Sequence, residues 1–127
     1  MNKFTWILLP VLMLAGVGCQ TGSKTVGYTH TVMFDLKAAP DSPEAAAFLT
    51  AGTQALTSVP GVMDFRAVRQ CSPKSDFQYA LLMNFPSKEA FNAYCVHPDH
   101  NRFVEERWKK EVTRFFEADY IEFKTAQ

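Results

Sequence analysis

Apolar and polar positions alternate in four stretches of the chain and recur at helical spacing in the segments between them. In Tyr28 to Asp35, Tyr28, His30, Val32 and Phe34 fall on one face and Thr29, Thr31 and Met33 on the other, which predicts a first strand. Asp41-Ser42-Pro43-Glu44 supplies a cap, a proline suited to the first turn and an early acid. A helix is expected to follow, burying Phe48, Gly52, Ala55, Leu56 and Val59 and stopped by Pro60-Gly61. Val62 to Arg69 predicts a second strand, with Val62, Asp64, Arg66 and Val68 opposite Met63, Phe65, Ala67 and Arg69. After the turn-rich Gln70 to Ser75, Asp76 to Phe85 reads as a long third strand.

Ser87 caps a short helix carrying Phe91, Tyr94 and Cys95, and His97-Pro98-Asp99-His100 breaks it and opens another, because proline biases the residue before it away from helix. That last helix is read with a Val104, Trp108, Val112 stripe and outer pairs Glu105 with Lys109 and Glu106 with Lys110. Phe116 to Lys124 is the fourth predicted strand. The order is that of an α+β, ferredoxin-like βαββαβ domain with a split second helix and a four-stranded antiparallel sheet. On the third strand Ala80 and Leu82 keep the second face partly apolar. Helices can cover only one face, so a homodimer packed through the sheet face is expected, as a dimeric α/β barrel.

Ahead of the domain lies a different pattern: Lys3, an apolar run from Phe4 to Val17, then Gly18 and Cys19. The run is short for a membrane span, which needs about 20 apolar residues. It fits a signal peptide over residues 1–18, and Cys19 after small residues resembles a bacterial lipobox, although Gly16 stands where leucine is usual. Residues 19–27 then form a lipidated cysteine and polar tether, and residues 28–124 the domain. The protein is expected in the cell envelope, held to a bacterial membrane by an amino-terminal lipid and facing the periplasm or exterior. Plain secretory cleavage, and after it an uncleaved anchor, are the alternatives.

The 127 residues hold 13 basic and 13 acidic side chains, and no basic stretch argues for nucleic acid. Cys71 and Cys95 are open to a disulfide or to two thiols. Neither has metal-ligand spacing, and a His30, His97, His100 metal site has no supporting signature; neither metal nor cofactor is expected.

The strand-one histidine in Tyr28-Thr29-His30-Thr31-Val32, Val59-Pro60-Gly61-Val62, Tyr79-Ala80-Leu81, and above all Ala93-Tyr94-Cys95-Val96-His97-Pro98-Asp99-His100 followed by Phe103, resemble the stress-responsive A/B barrel, or Dabb, family. The resemblance spans nearly all of Tyr28 to Phe123 and implies the dimeric ferredoxin-like fold. In a plant polyketide cyclase of that family a tyrosine and a histidine act as an acid–base pair, which by resemblance fall on Tyr94 and His100. The cyclase also has histidines matching His30 and His97. These give Tyr94 and His100 as candidate catalytic residues, and His30, His97 and Phe103 as candidate ligand contacts. The plainer readings are a helix-capping His97, a structurally bonded His100, a core His30 and a packed Tyr94. The leading expectation is a dimeric, lipid-anchored module binding a small apolar or aromatic ligand without assigned catalysis. The alternative is a cofactor-free, cyclase-like proton-transfer enzyme with His100 as base and Tyr94 as acid or oxyanion donor.

Overall fold

The computed structural model describes residues 25–124; the leader, Cys19 and the start of the tether lie outside them. Four strands, β1 (Tyr28–Leu36), β2 (Met63–Arg69), β3 (Tyr79–Phe85) and β4 (Val112–Tyr120), form one sheet in the order β2-β3-β1-β4. Every neighbouring pair is antiparallel. Helices α1 (Pro43–Thr57), α2 (Lys88–Cys95) and α3 (Pro98–Phe103) cover one face. A π-helical turn (Val104–Trp108) and the short α4 (Lys109–Glu111) lead into β4. This is the ferredoxin-like α+β architecture read from the sequence.

The helices start where their caps place them. Ser42 Oγ accepts from the Ala45 amide and Ser87 Oγ from the Ala90 amide, both at 3.2 Å, relieving backbone donors that the first turn leaves unpaired. The core alternates as expected along β1 and β3: Phe34, Phe48, Met83 and Phe85 are sealed from solvent. Gly52 on α1 permits the closest approach of two helices, since a Cβ there would meet the Phe103 ring at 3.0 Å.

Four local expectations are corrected. The third strand begins at Tyr79, because Asp76 to Gln78 do other work: the Gln78 amide donates to Asp35 at 2.8 Å, and Arg114 lies over the Phe77 ring and reaches Asp76. The second strand starts at Met63 and does not alternate strictly. A bulge with Asp64 at φ 51° puts Met63 opposite Asn84, on the face away from the helices, while Phe65 and Ala67 pack on the core. Val112 opens β4 instead of ending a helical stripe, and β4 closes at Tyr120 instead of running to Lys124. Glu105 still pairs with Lys109, but Arg107 with Glu111 replaces the expected Glu106–Lys110 pair.

Cys71 and Cys95 are both free thiols, which resolves the disulfide alternative. They belong to opposite ends of the sheet, Cys71 in the β2–β3 turn and Cys95 at the end of α2, the helix entered from the far end of β3.

Candidate functional site

Helix α1 leans on β2 and α2 on β3, whereas the principal neighbour of β4 is β1. The helical layer therefore leaves room over the β1–β4 half of the sheet. A half-open cavity of about 340 Å³ occupies it, lined by His30 and Val32 from β1, Leu56 from α1, Leu81 and Met83 from β3, Tyr94 from α2, His100 and Phe103 from α3, Val104 and Trp108 from the π-helical turn, Lys109 from α4, and Phe115 and Glu117 from β4. That is the lower end of the volume range of small-molecule pockets, about 300–1,000 Å³.

Tyr94 is 3 % exposed, packed between Phe85 and His100 with ring centroids 5.2 and 4.5 Å away. Its hydroxyl has no hydrogen-bond partner among the described residues and opens on the cavity. Burial, then the Cys95 thiol and the Glu117 carboxylate, pushes its ionisation well above the ordinary tyrosine range, so it stays a donor at physiological pH. His100 has the opposite character. Burial lowers its pKa, partly countered by the Asn101 side chain, and the nearby His30 lowers it further. Its Nδ1 lies 3.2 Å from Asn101 Oδ1, and a hydrogen bond to the Cys95 backbone also acts on the ring. The pair therefore combines a protonated phenol with a neutral imidazole at ring contact, chemistry suited to polarising a carbonyl while accepting a nearby proton.

His30, 6 % exposed, faces the same space, its Nδ1 2.6 Å from Asp119 Oδ1 across the β1–β4 pair. Phe103 is 5 % exposed and forms the wall toward α1. His97 is not among the lining residues: its Nδ1 accepts from the Asp99 amide at 3.2 Å and caps α3, the plainer of the two readings of this residue. Sequence reasoning had not singled out Glu117 and Asp119, and had assigned Trp108 to core alone. The strand alternation of β4 was the available signal, but only the register, Asp119 opposite His30 and Glu117 opposite Val32, turns it into a site. Among the described residues no group of three His, Cys, Asp or Glu side chains is placed to hold a metal ion, and no helix is long and apolar enough to cross a membrane.

A ferredoxin-like sheet with a split second helix and a cavity over its β1–β4 half defines the class. Within that class the chain belongs to the Dabb family: residues 28–122 match the model of the stress responsive A/B barrel domain. A Dabb family protein of Mesorhizobium loti with a ferredoxin-like fold is 39% identical, with a TM-score of 0.75 over 79% of this chain and 100% of that one. A hydroxynitrile lyase of Passiflora edulis is similar in fold at 16% identity and TM-score 0.67, over 79% of this chain and 96% of that one. SnoaB, a cofactor-independent oxygenase of Streptomyces nogalater, is similar at 15% identity and TM-score 0.62, over 80% and 97%. No curated protein matches the chain significantly.

Proposed function

We propose that this protein is a small-ligand-binding Dabb module of the cell envelope, working as a homodimer and tethered by a lipid on Cys19. The observation that carries the ligand reading is the cavity with the Tyr94 hydroxyl opening on it: a donor held among apolar walls, with no acceptor among the described residues, is free to bond a ligand's polar head. The ligand is a compact molecule with an apolar or aromatic body, matched to Val32, Leu81, Phe103, Trp108 and Phe115, and one polar head between Tyr94 and His100. The dimer reading rests on the uncovered sheet face, where Met33, Leu82, Phe116 and Tyr120 lie together, Phe116 and Tyr120 being more than half exposed. The envelope reading rests on the leader pattern ending in Cys19.

A second reading, proton-transfer catalysis on such a ligand, is favoured by the Tyr94–His100 contact of 4.5 Å. Tyr94 would stabilise a carbonyl gaining negative charge while His100 takes a proton from the adjacent carbon. That some proteins of this fold are enzymes, a hydroxynitrile lyase and a cofactor-independent oxygenase among them, makes turnover worth testing.

A thermal-shift screen of aromatic alcohols, phenols and ketones on the full chain, run beside Tyr94→Phe and His100→Ala, tests both readings, since a ligand raises stability by mass action. Compounds that stabilise the wild type and not the variants support the ligand site, and conversion of such a compound supports the enzyme. No stabilisation by any compound, with both variants intrinsically less stable than wild type, would return Tyr94 and His100 to purely structural roles.

A further inference from the structure

The cavity holds a second buried polar side chain whose free atom faces the same space as the Tyr94 hydroxyl. His30 is 6 % exposed, and Asp119 Oδ1 sits 2.6 Å from its Nδ1. The Asp119 carboxylate can only accept, so it engages the proton on Nδ1 and leaves Nε2 as the ring nitrogen that faces the cavity. Among the described residues no sealed side-chain nitrogen or oxygen lacks a partner, and Nε2 makes no hydrogen bond, so it meets the cavity that His30 lines. The Phe91 ring packs tilted against the imidazole, centroids 4.9 Å apart, which helps hold the ring in place.

The charges nearest it are carboxylates. Glu117 lines the cavity two residues before Asp119 on the same face of β4. Lys109, the cation among the lining side chains, is engaged by Glu105. The neighbours register this field. Burial first, and then the Asp119 and Glu117 carboxylates, raise the Cys95 thiol; burial and then Asp119 raise the Tyr28 phenol. An anionic head brought beside His30 would meet these two carboxylates without a free cation, at a cost that grows as water is expelled.

We propose that His30, positioned by Asp119, is a second hydrogen-bond acceptor of the cavity and makes it select ligands with a neutral hydroxyl head, phenols and alcohols, over carboxylates. The inference rests on the ligand-site reading above and adds the chemistry of the head group. A hydroxyl can donate to His30 or His100 and accept from Tyr94 at once. A carboxylate offers no proton to either imidazole and is repelled by Glu117 and Asp119.

Titration calorimetry of the full chain with 4-propylphenol and 4-propylbenzoate at neutral pH tests it. The phenol is expected to bind at least about tenfold more tightly than the benzoate. Asp119→Asn, at a position whose side chain is 37% exposed and free of core packing, is expected to weaken the phenol severalfold and narrow the discrimination, with Asp119→Glu recovering part of both. Nitrogen-15 NMR of the His30 ring supplies a readout that mere packing would not move: an Nδ1-protonated tautomer whose Nε2 resonance shifts with the phenol in wild type, and loses that tautomer preference in Asp119→Asn. Equal or tighter binding of the benzoate, or an Asp119→Asn variant with unchanged affinities and unchanged His30 resonances, overturns the proposal while leaving the cavity a ligand site. Binding of neither compound counts against the ligand-site reading itself.

Discussion

The two faces of the sheet are built from the same alternating strands but meet different fates. The helix-side face, Tyr28, His30, Val32, Phe34 and Leu36 on β1 with Tyr79, Leu81, Met83 and Phe85 on β3, is buried throughout. The opposite face keeps Met33, Ala80 and Leu82 half-buried and Phe116 and Tyr120 exposed. Its polar groups bond along the surface: Thr29 donates to Asn84 at 2.8 Å, Asn84 to Asp64 at 3.0 Å, and Asp35 accepts from the Gln78 backbone amide and from Arg114. The helix side is thus a finished core with one gap over β1 and β4. The other side is an unfinished surface. The ligand site proposed above lies in the gap, among polar atoms held by packed neighbours, and the proposed dimer face is the surface where apolar side chains still face water.

Substitutions should separate the faces, and the largest effect is expected in the core. Phe48→Ala, at a side chain 1 % exposed and packed on Phe34, Phe103 and Trp108, should cost about 3–5 kcal/mol in denaturant unfolding, whereas Phe116→Ala should leave the unfolding of a single chain nearly unchanged. Next in size, Leu82→Arg on the open face should convert a two-copy species to one copy in light scattering without disturbing the ligand site. If Leu82→Arg leaves the assembly intact, the second copy does not sit on this face.

The comparison narrows to two histidines three residues apart. His97→Ala should remove the α3 cap and cost about 1 kcal/mol while ligand affinity persists. His100→Ala should do the reverse, losing affinity with little change in stability. The smallest effect is a pH dependence. Burial lowers the His100 pKa in the folded state, so the unfolded chain takes up its proton first as pH falls below about 6.5. Stability should therefore decline as pH drops from about 6.5 toward the lowered folded value, and His100→Gln should flatten that part of the profile, measured as denaturation midpoint against pH.

The strands and caps were legible because each has a local cause: period-2 alternation in β1, Ser42 and Ser87 before their helices, Pro98 splitting the second helix. Tyr94, His100, His30 and Phe103 were legible as candidates through the family pattern around Tyr94 to Phe103, and the structure brings these four to one cavity. What escaped depended on long-range pairing. Val112 continued a plausible stripe from Val104 and Trp108 until the π-helical turn broke its spacing, and Met63 followed its strand's alternation until the Asp64 bulge turned it over. Glu117 and Asp119 have no motif at all. Their place follows from which strand β1 chooses as its edge partner, a property of the whole sheet and not of any window of sequence.

Chemical-shift mapping of the isotope-labelled full chain with 4-propylphenol tests whether small ligands enter the gap on the helix side. Perturbations are expected to centre on Tyr94, His100, Trp108 and Phe115 and to be absent in Tyr94→Phe, with Met33, Leu82 and Ala118 unmoved. Perturbations centred on Met33, Leu82 and Ala118 would contradict that reading, placing the ligand on the open face and leaving the Tyr94–His100 contact as packing.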